Sequence, residues 1–533
     1  MTVFVLVPGW FTGAWVWEET AARLAESGAE AHPVSLTGLD GPPGAGGVDG
    51  TAGVGGVGGV GGVGGVDLET HIADVLAVID SVGAGADGSG GSGGSGREIV
   101  LVGHDYGIHP ALGAAARRVG RVARVVYLDA GMPRDGVPAL AAVPDPALRE
   151  KAAARGTEGG DGFEGVLPPP DRDEWPRWGS TAGVPDAALD RLTARAAPQP
   201  LGTLLQPLRL AAAVASVPAT GVLCTGNGAG IGMLQLQVDF GDPALGALAD
   251  AGVPFFELPT GHWPMLSCPA ELARVLLRAA AGGGHRLAPF DAARPPAHLR
   301  PFPLDVPERA RERTGHVDLY PPDAEGPRPA VLFVHGGPLP PGARPGPRDW
   351  PLFQGYAGYA AARGVVAATV EHRLHAVTDY PAAADDVAAA VETVRADPRV
   401  DPDRVALWFF SGGGPLAAEW LSAPPPWLRC LATTYPILAP LPNWGLPGGR
   451  FRPAEAVAGA GDLPVVLTRV GLELPEIAAT VEEFLTAARA GGTDVEVIDV
   501  PHGHHGFETL DLTEESRAAV RRAMRAVLGH LTG

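Results

Sequence analysis

Two short stretches set a polar side chain at the junction of an apolar run and an Ala-rich segment: Ser411 in "RVALWFFSGGGPLAAEWL" and Asp105 in "EIVLVGHDYG". A strand that turns sharply into a helix lifts the side chain at the bend above the sheet edge and turns the next backbone N–H groups toward the same spot. A serine held there is a candidate nucleophile if a base and an acid lie further along the chain. Glu473 in "LTRVGLELPE" and His505 in "PHGHHGF" each come just after a strand-like run, in the chain order serine, acid, histidine. "HGGP" at His335–Pro338 ends an earlier run and offers N–H donors for a developing oxyanion. Glu476 and His504 are rivals for the acid and the base, and both read as solvent-facing neighbours. The plainer reading of Ser411 is a helix N-cap; the ordered set of parts favours catalysis.

At the other bend the side chain is a carboxylate, and His262 in "FFELPTGHWPM" stands where a base would be expected. Three readings are open. Asp105 is a nucleophile whose covalent ester is cleaved by water with the help of His262. Alternatively, the two residues form an acid–base pair acting on a bound substrate, or this half is silent and Asp105 simply caps a helix.

The elements that must position these residues recur in both halves. Each half opens with an apolar run into a Gly-containing loop, "VFVLVPGW" and "AVLFVHGG". Each closes with a strand, a histidine and an amphipathic helix. Strands alternating with helices predict α/β architecture: two domains, each a mostly parallel sheet with helices on both faces. Gly and Pro interrupt the pattern in "AAGGGHRLAPFDAARPPAHLRPFP", which sets the expected domains at 1–285 and 286–533. The first carries Gly-rich insertions at 41–66 and 84–96, read as loops because neither buries enough apolar surface to offset its ordering entropy. A small helical cap is expected over residues 134–215.

The chain has 533 residues, enough for two full cores. Its formal charge of −20 repels phosphate backbones and argues against nucleic-acid partners. Lys151 is the only lysine, so the positive charge is almost all arginine. Three scattered cysteines without a C-x-x-C pair fit a reducing compartment and no structural zinc. "HGHH" at His502–His505 lacks partner ligands at metal spacing and reads as a histidine loop. The apolar start is too short to cross a bilayer. These features predict a cytoplasmic protein without cofactor, metal or membrane insertion, acting on a small ester-like molecule; they leave its oligomeric state open.

The segment from Ala330 to Phe507, with "VEHRLHAVTDYPAAADDVAAAVETVRADPRVDPDRVAL", resembles the dienelactone-hydrolase and hormone-sensitive-lipase-like branches of the α/β-hydrolase family. The resemblance implies Ser411 as nucleophile, His505 as base and Glu473 as orienting acid, with oxyanion N–H groups at Gly336, Gly337 and Gly412. It implies hydrolysis of small carboxylic esters or lactones. The family carries a small residue two before the serine, and this chain has Phe409.

"VPGWFTGAWVWEETAARLAESGAEAHPVSLTGL", "VVYLDAGMP" and "FFELPTGHWPMLSCPAELARVLL" resemble the methyl-esterase and hydroxynitrile-lyase group of the same family. Three positions depart from that group: Pro8 replaces the histidine of its opening His-Gly, Asp105 the serine, and Asn227 the acid. "GHD-aromatic-G" is similar to the bend of epoxide hydrolases and haloalkane dehalogenases. That likeness implies a triad of Asp105, His262 and Asp129, with donors at Trp10 and Tyr106. The cap lacks the tyrosines an epoxide hydrolase uses and offers Trp175 and Trp178. A hydrolase-fold ligand binder without turnover remains open for either half.

Overall fold

Uninterrupted apolar runs become buried strands. The computed structural model describes residues 2–40, 65–84, 97–143, 145–158, 165–289, 293, 295–339, 341–441, 444 and 449–533. The Gly-rich insertions fall, apart from their margins, outside the described residues. The chain divides into two units, Met1–Leu234 with Ala247–Ala288, and Gln235–Gly246 with Pro289–Gly533. The segment Gln235–Gly246, expected in the first domain, thus groups with the second. There Phe240 packs on Gly506, and Gly241 on Pro296 and His298, long-range contacts that no local pattern announces.

The first unit is built on strands β1 (Thr2–Val7), β2 (Glu30–Pro33), β3 (Glu98–His104), β4 (Val122–Leu128), β5 (Ala219–Cys224), β6 (Pro254–Leu258) and β7 (His285–Arg286). Their order across the sheet is β2-β1-β3-β4-β5-β6-β7, parallel except for the last. Val3 through Val7 are wholly buried, as befits a strand covered on both faces. Between β4 and β5 the chain leaves the sheet to form helices Pro146–Glu158, Asp186–Arg195 and Leu201–Leu205 and a short ribbon pairing Val166–Leu167 with Gln199–Pro200.

The second unit holds β8 (Glu312–Thr314), β9 (Val317–Tyr320), β10 (Arg328–Val334), β11 (Val366–Val370), β12 (Val400–Phe410), β13 (Leu428–Thr434), β14 (Val465–Leu472) and β15 (Val495–His504). The order is β8-β9-β11-β10-β12-β13-β14-β15, antiparallel only at the first two pairings. Apolar side chains pack on both faces of this sheet in two clusters. The two units therefore share one plan: β1, β3, β4, β5 and β6 correspond to β10, β12, β13, β14 and β15.

The bends after β3 and β12 are strained in the same way. Asp105 has φ of 48° and Ser411 has φ of 51°, a left-handed conformation that side chains adopt only where the surroundings enforce it. The two bends differ in how the chain leaves them. After Asp105 comes one short 3₁₀ turn and then the helix Ile108–Arg117; after Ser411 the 3₁₀ stretch runs to Ala417 before the short helix Ala418–Ser422. Close packing at the first bend depends on residue size. A methyl group on Gly103 would sit 2.5 Å from Cα of Ile108, so the helix can start close only because glycine is there. Phe409 occupies the matching place, buried in the core.

Candidate active sites

At the second bend the Ser411 hydroxyl donates to His505 Nε2 at 2.7 Å, and His505 Nδ1–H donates to Glu473 Oε2 at 2.8 Å. The two partners are 5% and 6% exposed. The other Glu473 oxygen accepts the N–H of Leu474 at 2.8 Å. Glu473 lies just past β14 and His505 just past β15, so adjacent strands deliver both groups. His504 instead lies at the surface against Asp511, at 3.0 Å, and Glu476 sits in the first turn of the helix Pro475–Gly491. Phe409 does not block the hydroxyl; its ring turns away into the core.

Glycines close the far side. A methyl group on Gly336 would lie 3.2 Å from Ser411 Oγ, and one on Gly412 would overlap the Gly337 carbonyl. The loop at Gly336 and Gly337 thus lies directly against the bend, close enough for its N–H groups to serve an oxyanion. His335 anchors that loop. Its ring stacks on His372 with centroids 3.6 Å apart, and burial holds both rings below the usual imidazole range, His372 at about 4.

At the first bend, His262 Nε2 lies 3.1 Å from Asp105 Oδ2 and Nδ1 lies 2.6 Å from Asp129 Oδ2. Burial alone would lower this imidazole. The charges and hydrogen bonds of Asp105, and then of Asp129, outweigh it and push His262 up to about 10. Each ring nitrogen thus faces a carboxyl, and the two carboxyls together favour the protonated ring. Asn227 is not idle: its Nδ2 donates to Asp129 Oδ2 at 2.7 Å and its Oδ1 accepts the Ser180 N–H at 2.7 Å. The Cys224 N–H donates to the other Asp129 oxygen at 3.0 Å. A strap from the cap completes the frame, with the Ser180 carbonyl accepting the His262 N–H at 2.7 Å and the Ala182 carbonyl accepting the Gly261 N–H at 2.8 Å.

Aromatic rings wall this site. Trp10 lies 4.6 Å from Tyr106 between ring centroids, and Phe11 meets Trp178 edge-on at 4.7 Å. The Tyr106 hydroxyl donates to His71 Nδ1 at 2.7 Å, so that side chain is already committed. The Trp10 indole N–H is buried without a hydrogen-bond partner. Trp175 and Trp178 are both buried in the cap. Among the described residues no group of three or more His, Cys, Asp or Glu is placed to hold a metal ion, and no helix is long and apolar enough to cross a membrane. The tie between Asn227 and Asp129 escapes a reading of the sequence, because an asparagine at an acid's position signals only loss.

The model of a family described as alpha/beta hydrolase matches residues 4–275, just over half of the chain. The chain belongs to the alpha/beta hydrolase family. A second family model, described as BD-FAE, matches residues 317–420. A curated relative, the carbendazim hydrolyzing esterase of Nocardioides sp. (strain SG-4G), is 30% identical over 287 residues, covering 52% of this chain and 98% of the relative. Among solved structures, an extracellular α/β-hydrolase from a Paenibacillus species matches at 18% identity and a TM-score of 0.37, over 52% of this chain and 99% of that one. A methylesterase protein from Arabidopsis matches at 17% identity and a TM-score of 0.37, over 53% and 100%. The family match makes this chain a member of a hydrolase family.

Proposed function

We propose that the second unit hydrolyses small carboxylic esters or lactones by acyl transfer through Ser411. The observation that carries this reading is the unbroken chain of hydrogen bonds from Ser411 through His505 to Glu473, at 2.7 and 2.8 Å, with the serine on a left-handed bend. His505 takes the hydroxyl proton as Oγ attacks the carbonyl carbon, and Glu473 steadies the imidazolium that results. The N–H groups of Gly336, Gly337 and Gly412 receive the oxyanion. His505 then protonates the leaving alkoxide, and water reverses the sequence on the acyl-enzyme. A fluorophosphonate probe tests it: wild type takes the label and Ser411→Ala does not, whereas labelling that survives the change overturns the reading.

For the first unit we propose a hydrolase in which Asp105 is the nucleophile. The geometry supports this reading: Asp105 sits on the left-handed bend, and both nitrogens of His262 lie within hydrogen-bond reach of a carboxyl, Asp105 at 3.1 Å and Asp129 at 2.6 Å. When Asp105 attacks an electrophilic carbon and the leaving group departs with its electron pair, the carboxylate becomes neutral, an ester where that carbon is saturated and a mixed anhydride where it is a carbonyl. Its charge and hydrogen bond are then lost to His262, whose hold on the second proton weakens. Once that proton passes to solvent, Nε2 takes one from the water that attacks the Asp105 carbonyl, and Asp105 is released carrying an oxygen from that water. Single-turnover reaction in ¹⁸O-water, using Ser411→Ala to silence the other site, tests this. The panel comprises short-chain esters, lactones and epoxides, with carbendazim added because a relative hydrolyses it. Heavy oxygen in Asp105 is the expected result; an unlabelled carboxylate after confirmed turnover overturns the reading.

A further inference from the structure

Beside the base of the Ser411 site lies a carboxyl that acyl transfer leaves unused. Glu508 stands in the first turn of the helix Phe507–Leu510 and is wholly buried. The Tyr356 hydroxyl, from the helix Pro351–Ala361, donates to Glu508 Oε1 at 2.8 Å. Oε2 has no hydrogen-bond partner. The Tyr435 hydroxyl faces the same carboxyl. Tyr435 lies just past β13 in a left-handed conformation, φ 34°, and its ring centroid is 4.8 Å from that of His505. One tyrosine thus touches both the carboxyl and the base. Leaving an acceptor unpaired in an apolar interior is costly, and an aliphatic side chain would avoid that cost. That cost makes sense where the charge is used.

We propose that Glu508 is a second acidic positioning residue of the Ser411 site, seating the His505 ring through Tyr435 and stabilising the charge that ring acquires during acyl transfer. The proposal rests on the Ser411 reading above. A carboxylate acting through a dry interior stabilises a transient imidazolium more than one acting through water. Burial pushes Glu508 up to about 7, partly offset by its own backbone N–H, the two tyrosine hydroxyls and the charge of His505. The carboxyl is therefore neutral below that pH and charged above it, and its support of His505 grows as the pH rises through neutrality. The neighbouring charged groups are Glu473 beyond the His505 ring, Arg300, whose guanidinium donates to the Thr509 carbonyl at 3.4 Å, and the surface pair His504 and Asp511.

The test is the rate at which a fluorophosphonate labels Ser411 in the full-length protein, measured from about pH 5.5 to about pH 9. Glu508→Gln keeps the shape of the side chain and mimics its neutral form. It should match wild type at the acid end and fall about three- to tenfold behind at the alkaline end. Tyr435→Phe, which leaves the Tyr356 contact intact, should flatten the profile in the same way, and Glu508→Asp should regain part of the slope. Tyr435→Phe carries the test if Glu508→Gln fails to fold. Variants that merely scale the wild-type curve by a constant factor would make Glu508 structural and overturn the proposal alone. A wild type that takes no label overturns the Ser411 reading and this proposal with it.

Discussion

The two sites share a plan and differ in where they keep the acid. In the second unit the carboxylate that faces the histidine comes after β14, as Glu473; the matching place after β5 in the first unit holds Asn227. In the first unit the carboxyl that meets Nδ1 of the histidine comes instead from the end of β4, as Asp129, where the second unit has Tyr435. Both Asp129 and Tyr435 take left-handed backbone, with φ of 44° and 34°, so each side chain is turned back toward the histidine. The fold thus offers two stations for an acid, and either can be reached from the same imidazole. The residues at the bends complete the contrast: the Ser411 hydroxyl leaves His505 one carboxyl partner, whereas Asp105 gives His262 a second, which raises its pKa.

The sharpest break between the sites is their independence. Ser411→Ala should lower ester turnover at the second site by about 10⁴- to 10⁶-fold, while Asp105→Asn leaves that turnover within about twofold. An ester assay on the full chain checks both, with the Ser411→Ala loss read in an Asp105→Asn background so that turnover at the first bend does not mask it. Moving to the acids, Asp129→Asn should slow turnover at Asp105 by about 10⁴-fold. Asn227→Ala, which only unties Asp129, should slow it by about 10²-fold; equal effects would mean that Asn227, not Asp129, orients the ring. In stability, a methyl group at Gly103 must displace the neighbouring helix Ile108–Arg117, so Gly103→Ala should cost the first unit about 1–3 kcal/mol in denaturant melts.

A last effect is one of pH. Folded His262 holds its proton up to about 10, against an ordinary value of 6.5. Between those limits the folded chain binds a proton that the unfolded chain does not, so stability falls as pH rises. The contribution is complete below 6.5 and gone above about 10. Thermal melting at a series of alkaline pH values should show this decline in wild type and a shallower one in Asp129→Asn.

Sequence makes the bends legible because an apolar run, a polar residue and small residues are all local, and the strain at Asp105 and Ser411 is written into a few neighbours. Glu473 and His505 are readable for the same reason: each comes directly after a strand. Asp129 is reachable only as a topological option, since nothing near it distinguishes an acid that faces a histidine from one that closes a strand. Asn227 reads as a loss in the sequence, whereas in the fold its amide bridges Asp129 and the cap. Glu508, one residue past a Gly-Phe pair, looks like any acid opening a helix; its burial depends on Tyr356, more than a hundred positions away. The transfer of Gln235–Gly246 to the second unit is likewise a matter of distant packing.

The strap at Ser180 and Ala182 has its own consequence. Because its carbonyls hold the backbone of Gly261 and His262, and its N–H holds Asn227, it cannot lift without unseating the very groups that would do the chemistry. A molecule on its way to Asp105 must therefore arrive past some other part of the roof, and this corner travels with the floor rather than with the door.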